Sequence, residues 1–226
     1  MKAKASKQRL SAQVKAFLLS PQAGGEEGWN EEKLARRFKV SRTPIRDVLY
    51  ELESQGVIVR RHKRGIALRQ PSIKEIAEVY EVRAALEKLA IGRAVTYVTP
   101  EDIAVLRKIV RQIHLAIRRN DIARTDELDA TFHATIIEIS GNQYLRSMID
   151  QFNLLIRAFQ LASWFHQPSV PIGDPEHESI VDALERRDRR TCIKLMGRHI
   201  NGARKVFLRQ VVSSPVSNPN PETAEV

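Results

Sequence analysis

The apolar residues of this chain keep a helical spacing almost throughout and abandon it once, between Gly56 and Pro71. Val57-Ile58-Val59-Arg60 and Ile66-Ala67-Leu68-Arg69 are short β-prone runs separated by Arg61-His62-Lys63-Arg64-Gly65. Two such runs around a glycine-containing tip read as a hairpin, here with a basic tip. The segments before it read as three short helices. Leu10, Val14, Phe17 and Leu18 form one stripe, broken by Pro21 and the glycines at 24, 25 and 28. Asn30 suits the N-cap of a helix running to about Lys39, with Leu34, Ala35 and Phe38 inward. Ser41 is placed to cap a helix with Pro44 in its first turn, Ile45, Val48, Leu49 and Leu52 at 3–4 spacing, and Gly56 as terminator. Three helices and a two-stranded wing predict a winged helix-turn-helix over residues 1–70.

From Ile73 onward every segment reads as helix, near 73–97, 100–119, 121–140, 142–166, 175–187 and 189–211. Pro100, Gly141-Asn142 and the stretch from Pro168 to Pro175 are firm breaks; Asn120-Asp121 and Asp188 are softer ones. Connections of a few residues imply antiparallel neighbours. The expected fold class is mainly α: the N-terminal winged helix-turn-helix, then a C-terminal all-helical antiparallel bundle over 71–212. Residues 213–226, with three prolines and almost no apolar content, are expected to be a disordered tail.

Charge separates the two parts. The chain of 226 residues has a formal net charge of +10. Residues 1–70 hold 16 Lys and Arg against 7 Asp and Glu, a net +9, and the remainder holds 21 against 20. A small module so basic suits a polyanion, and double-stranded DNA is the expected partner. No apolar run approaches the roughly 20 residues of a membrane span, and no signal-type segment follows the basic start MKAKASKQR. The single Cys192 excludes a disulfide scaffold. A cytoplasmic protein with no membrane partner is expected.

The most specific segment is Val40-Ser41-Arg42-Thr43-Pro44-Ile45-Arg46-Asp47-Val48-Leu49. Ser41, Arg42 and Thr43 open a helix, where backbone amides favour phosphate. Arg42 and Arg46 are four apart, so both project from the face opposite Val48, Leu49 and Leu52. An arginine so placed lies bidentate on a guanine edge in the major groove. Arg36 and Arg37, with Arg61, Lys63 and Arg64 of the wing, are placed for flanking phosphates, and Gly65 is expected to let the wing backbone approach DNA closely. The stretch VSRTPIRDVLYELESQGVI at 40–58, followed by a wing ending in Arg-Gly, resembles the GntR family of bacterial transcription regulators. Trp29-x-Glu31-x-x-Leu34-Ala35 is similar to the family's helix-2 pattern. The resemblance assigns the recognition arginines to Arg42 and Arg46, the capping residues to Ser41 and Thr43, and the wing glycine to Gly65. Glu32 stands where some members carry a DNA-contacting arginine, and the 24–28 loop replaces a Pro-Gly turn.

In the second part, polar groups fall on apolar stripes. Asp129 and His133 share a stripe with Phe132, Ile136 and Ile137; His177 lies one turn before Ile180, Val181 and Leu184; His199 sits among Leu195, Met196, Ile200, Ala203 and Phe207. Inward polar groups are costly unless something satisfies them, and a divalent ion such as zinc, nickel or manganese would do so. Taken singly, each histidine is read first as a hydrogen-bonded core or interface residue; the set of four, placed inward from three separate helices, shifts the reading toward an ion. Glu176 and Glu178, beside His177, are expected to face solvent at a helix start. The order Asp129-Ala-Thr-Phe-His133, Ser140-Gly141-Asn142, Glu176-His177 and His199, with Val82-Arg83-x-x-Leu86-Glu87 upstream, is similar to the FCD effector domain of the FadR-type branch. Six helices suggest its shorter, VanR-like subgroup. The resemblance implies that Asp129, His133, His177 and His199 hold a metal, and that a small organic acid binds beside it. Such an acid needs a cationic partner; Arg83 is the first candidate and Arg157 the second, each equally able to serve an inter-helix salt bridge.

These expectations add up to a homodimeric, ligand-responsive regulator, most simply a repressor, reading a palindromic operator. Two alternatives remain open at this level: a regulator whose effector is the metal itself, and a metal-dependent hydrolase using an Asp-His₃ site to activate water.

Overall fold

The computed structural model describes residues 2–20, 23, 28–61, 65–164 and 176–213. Lys63, Arg64, His62, His166, the Pro168 to Pro175 break and the 214–226 part of the expected tail lie outside the described residues.

The basic part forms α1 (Lys2–Leu18), α2 (Glu31–Phe38), α3 (Arg42–Ser54) and a hairpin of β1 (Ile58–Arg61) and β2 (Gly65–Leu68). α1 begins eight residues before its first apolar anchor Leu10, in a run of Lys, Ala and Gln that favours helix. Asn30 caps α2 by accepting the Lys33 N–H at 2.9 Å, and Lys39 ends it in the left-handed region at φ 55°. Ser41 occupies the N-cap position of α3, but its side chain makes no capping bond, so that expectation holds for position only. The strands pair antiparallel with Ile58 opposite Leu68 and Arg61 opposite Gly65. Trp29 adds a bridge to β2, with the Ile66 N–H donating to its carbonyl at 2.6 Å. Leu34, Ile45, Leu49, Leu52 and Val57 are fully buried between these elements.

The rest forms six helices among the described residues: α4 (Ile73–Tyr97), α5 (Pro100–Arg118), α6 (Ile122–Ile139), α7 (Gln143–Trp164), α8 (Glu176–Glu185) and α9 (Arg189–Ser213). Their starts are chemically marked. Ser72 with Glu75 and Thr99 with Asp102 make reciprocal capping boxes, and Asp121 accepts the Arg124 N–H. α9 extends through Ser213, into the stretch expected to be tail. α4 lies along α9 and touches α6 and α7, while α5 packs on α6 and α8. Ile76, Ile91, Leu106, Ile113, Phe132, Ile180 and Leu184 fill the core.

α7 joins the two parts. Its Ala158 is fully buried within the apolar cluster of the basic head, with Leu154 and Leu155 packed beside it. Arg69, just after β2, donates through Nε to the Gly56 carbonyl at 3.1 Å and through a terminal nitrogen to Glu75 of α4 at 2.7 Å, and its guanidinium lies 5.7 Å from the Phe159 ring. Among the described residues, the face of α7 around Ala158 and the Arg69 guanidinium are where the head meets the bundle.

Candidate metal centre and nucleic-acid interface

α6, α8 and α9 bring together all four polar groups that the sequence places on apolar stripes. One ligand atom from each of Asp129, His133, His177 and His199 lies within 4.8 Å of the others. His177 Nε2 is 3.0 Å from Asp129 Oδ1, His133 Nε2 is 3.8 Å and His199 Nε2 is 3.9 Å from the same oxygen. His133 Nε2 and His199 Nε2 are 3.0 Å apart. Two donors each about 2.1 Å from one ion are separated by about 3.0 Å at a right angle and about 3.4 Å at the tetrahedral angle. The two 3.0 Å separations match neighbouring corners of one coordination polyhedron, while the 3.8 and 3.9 Å separations are wider, so the donors would draw together around an ion. The imidazoles are buried and Asp129 is 37 % exposed, so the cluster opens on the carboxylate side. Three nitrogens and one carboxylate oxygen suit a divalent first-row ion.

A second layer fixes the orientation. Glu87 of α4 accepts the His133 Nδ1–H in a very short contact and the Arg83 Nε–H at 2.7 Å. Burial opposes ionisation of Glu87, but His133 and Arg83 overcome it and hold its pKa at about 2. Burial pushes the His133 pKa down, against the opposing pull of Glu87 and Asp129; a proton placed on Nδ1 toward Glu87 leaves the Nε2 lone pair among the other donors. Asp129 is depressed below the usual carboxylate range: burial works against its ionisation, and His133, His177 and His199 outweigh it.

The two arginines expected for an organic acid both face carboxylates of the chain. Arg83 is buried against Glu87, and Arg157 donates to Asp126 at 3.1 Å, one turn before Asp129 on α6. Glu176 corrects an expectation. It is turned inward, in a very short contact with Arg198 and 3.8 Å from His199 Nδ1, because α8 begins directly against α9. Glu178 is exposed as expected. Sequence reasoning gave no role to Glu87, although its position four residues after Arg83 on a helix was a legible signal.

On the head, Arg42 and Arg46 project from α3 with side chains 66 % and 47 % exposed. Ser41, Thr43 and Arg61 are exposed alongside. Arg36 lies 3.6 Å from Glu32, and the Arg37 guanidinium covers the Phe17 ring at 4.0 Å. Gly65 has φ 79°, and a Cβ there would sit 2.4 Å from the Trp29 carbonyl oxygen. The glycine is thus demanded by the head's own packing, a reason the sequence did not reveal. Two further residues went unnoticed as site residues. Glu31 lies 3.6 Å from Arg42, 3.8 Å from Arg46 and 3.1 Å from Arg60. Arg60 is also bonded to Glu53 at 2.9 Å and stacked 4.7 Å from the Tyr50 ring.

Residues 8–68 match the bacterial regulatory proteins of the gntR family, and residues 78–202 match the FCD domain. The chain belongs to the GntR family. It is 25 % identical over 191 residues to the uncharacterized HTH-type transcriptional regulator YdhC of Bacillus subtilis, covering 84 % of this chain and 85 % of that one. The gluconate operon transcriptional repressor of Bacillus licheniformis is 29 % identical over 170 residues, covering 73 % and 70 %. The structure of E. coli McbR/YncC shares the fold at a TM-score of 0.76 and 19 % identity, covering 90 % of this chain and 97 % of that one. This GntR-family chain is a DNA-binding transcription regulator with an FCD effector domain, and the family and these relatives are regulators, not enzymes. That removes the hydrolase reading. No helix among the described residues is long and apolar enough to cross a membrane.

Proposed function

We propose that this regulator is a cytoplasmic homodimeric repressor, dividing near residue 70 into a DNA-reading head and a sensor for a small organic acid held at a metal centre. The observation that carries the sensor is the convergence of Asp129, His133, His177 and His199 from three helices. When bound there, a divalent ion supplies a Lewis-acid anchor for a carboxylate. The chain's own part is to present neutral Nε2 donors, fixed through Glu87 and Arg83, and an open side at Asp129. Arg157 is the cation offered to an acid, exchanging Asp126 for the ligand's carboxylate, while Arg83 stays with Glu87 and supports His133. Repression as the sign is supported by the names of relatives such as the gluconate operon repressor.

On the head, Arg42 and Arg46 read base edges, while Arg36, Arg37, Arg61 and the tip residues Lys63 and Arg64 hold phosphates, with Ser41, Thr43 and Gly65 shaping the approach. Val82 and Leu89, exposed seven residues apart on α4, support a two-fold contact between copies. Effector binding is transmitted along α6 to Asp126 and Arg157, then along α7 to Ala158 and the Arg69 contact. Native mass spectrometry of the purified protein tests the reading: a dimer carrying one divalent ion per subunit is expected, with loss of the ion in His133→Ala. Parent protein that takes up no Zn²⁺, Ni²⁺ or Mn²⁺ on titration overturns the metal centre. Release of DNA by metal alone, without any acid, overturns the acid sensor in favour of a metal sensor.

A further inference from the structure

Of the two acidic residues that open α2, one is used as a helix N-terminus ordinarily uses a carboxylate and the other is not. Glu32 points to solvent with its side chain 65 % exposed, 3.6 Å from Arg36. Glu31 is turned into the head, 16 % exposed, with three guanidinium groups around it. Its two oxygens divide the work. Oε1 takes Arg60 of β1 at 3.1 Å, and Oε2 faces Arg42 at 3.6 Å and Arg46 at 3.8 Å. Arg60 is immobilised independently by Glu53 and by the Tyr50 ring. One carboxylate thus ties the recognition helix to the wing, firmly on the wing side and loosely on the helix side.

Stability does not explain the contacts to Arg42 and Arg46, since these side chains are largely exposed and their pairs at 3.6 and 3.8 Å are long. The charge pattern has another consequence. Arg42 and Arg46 are four apart, and two like charges at that spacing repel. A carboxylate between them removes the repulsion and draws both forks toward a common position. An arginine has five donors, so it accepts a carboxylate behind while forking a guanine edge in front. A DNA phosphate, by contrast, must compete with Glu31 for the same positive charge and is repelled by it. Base reading keeps the pair; indiscriminate phosphate binding breaks it.

We propose that Glu31 is a specificity-determining residue of this regulator: by holding Arg42 and Arg46 against the Arg60 anchor, it suppresses non-specific DNA binding and presents the two arginines to base edges. Glu31 is a positioning residue and need not touch DNA. The inference rests on the reading that Arg42 and Arg46 contact bases.

The test uses the full chain and two probes: a duplex selected from a randomised library by the parent protein, and mixed-sequence genomic fragments. Glu31→Gln is expected to bind the mixed fragments several-fold more tightly, with the logarithmic salt dependence steeper by about one unit. Its preference for the selected duplex is expected to fall at least about tenfold, because the gain on mixed DNA combines with a loss on selected DNA. Glu32→Gln makes the same charge change on the exposed neighbour and is expected to keep the preference. Glu31→Asp keeps the charge but shortens the reach, so mixed-DNA affinity stays at the parent value while selected-duplex affinity drops; this variant serves as well if the amide fails to fold. A Glu31→Gln preference within about twofold of the parent's, or equal weakening on both probes at an unchanged melting temperature, overturns the proposal. Arg42→Ala and Arg46→Ala separate the two levels. If they too retain the preference, the base-reading assignment has failed; if they lose it and Glu31→Gln does not, only the role of Glu31 has failed.

Discussion

Glu87→Gln is the sharpest perturbation of the sensor, because Glu87 touches no proposed ligand atom of the ion. One of its oxygens accepts from His133 Nδ1 and the other from Arg83 Nε, and both Glu87 and Arg83 are buried. An amide has one acceptor and one donor end. With its oxygen toward Arg83, its NH₂ meets Nδ1 and drives the His133 proton onto Nε2, the atom that must offer a lone pair. With its oxygen toward His133, its NH₂ opposes the guanidinium. Loss of an outer carboxylate from a metal-bound histidine costs about 10–100-fold in affinity, or roughly 1.4–2.7 kcal/mol. Separately, a buried Arg83 without its counter-charge destabilises the metal-free protein by about 3–5 kcal/mol. Zn²⁺ competition against a chromogenic chelator reads the first quantity, and denaturant unfolding of metal-stripped protein reads the second. The double change Arg83→Met with Glu87→Met distinguishes them: removing both charges restores most of the stability and none of the metal affinity. Glu87→Gln protein that folds and binds Zn²⁺ within about twofold of the parent refutes the claim that Glu87 orients His133 for an ion.

Other outcomes follow from the head and its attachment. Gly65→Ala meets the Trp29 carbonyl at 2.4 Å and a φ of 79°, so a loss of about 1–3 kcal/mol from backbone strain alone is expected, seen as a lower unfolding midpoint and weakened DNA binding. Arg42→Ala and Arg46→Ala should each cost about 1–3 kcal/mol on a selected duplex, measured by fluorescence anisotropy against mixed DNA. Arg69→Ala removes the contacts to the Gly56 carbonyl and Glu75. Because that pair is part-exposed, global stability should change by no more than about 1–2 kcal/mol. Limited trypsin cleavage after Lys74 should nevertheless accelerate as the head loosens from α4, and unchanged cleavage would remove Arg69 from the connection.

Much of this was legible because it is local along the chain. Helices appear in the i, i+3, i+4 recurrence of apolar residues, and the hairpin in the one place where that recurrence stops. The four candidate metal ligands were legible for the same reason, since each is a polar residue on its own helix's apolar stripe, whatever the other helices do. Partnerships across elements were not legible in that way. Glu31 and Arg60 are 29 residues apart, Glu87 and His133 are 46 apart, and Glu176 reaches Arg198 only because α8 starts against α9. Such pairs depend on how helices are rotated about their axes, which periodicity leaves open to within a turn or so. Arg83 shows the cost. Read alone, it served equally as a cation for an acid or as one half of an inter-helix salt bridge; the structure pairs it on its own helix with Glu87, which also contacts His133.

The narrowness of the junction between head and bundle bears on how such a sensor works. An effector moves a two-state equilibrium only by its difference in affinity for the two arrangements, typically 1–3 kcal/mol in allosteric proteins, or about 5–150-fold. A head embedded in a broad apolar interface would need far more than that to shift. Among the described residues, the junction includes Ala158 with Leu154 and Leu155 on α7, and the part-exposed Arg69, just after β2, paired with Glu75 of α4. Interactions of that kind contribute on the order of a few kcal/mol together. The energy holding the head and the differential affinity typical of an allosteric effector are therefore of similar size. Arg157 lies where the two meet, bonded to Asp126 one turn from the candidate ligand Asp129 and adjacent in sequence to the alanine buried in the head. A ligand that draws Arg157 away from Asp126 would displace α7 at the residue that the head packs upon, so the coupling requires no transmission longer than one helical turn on either side.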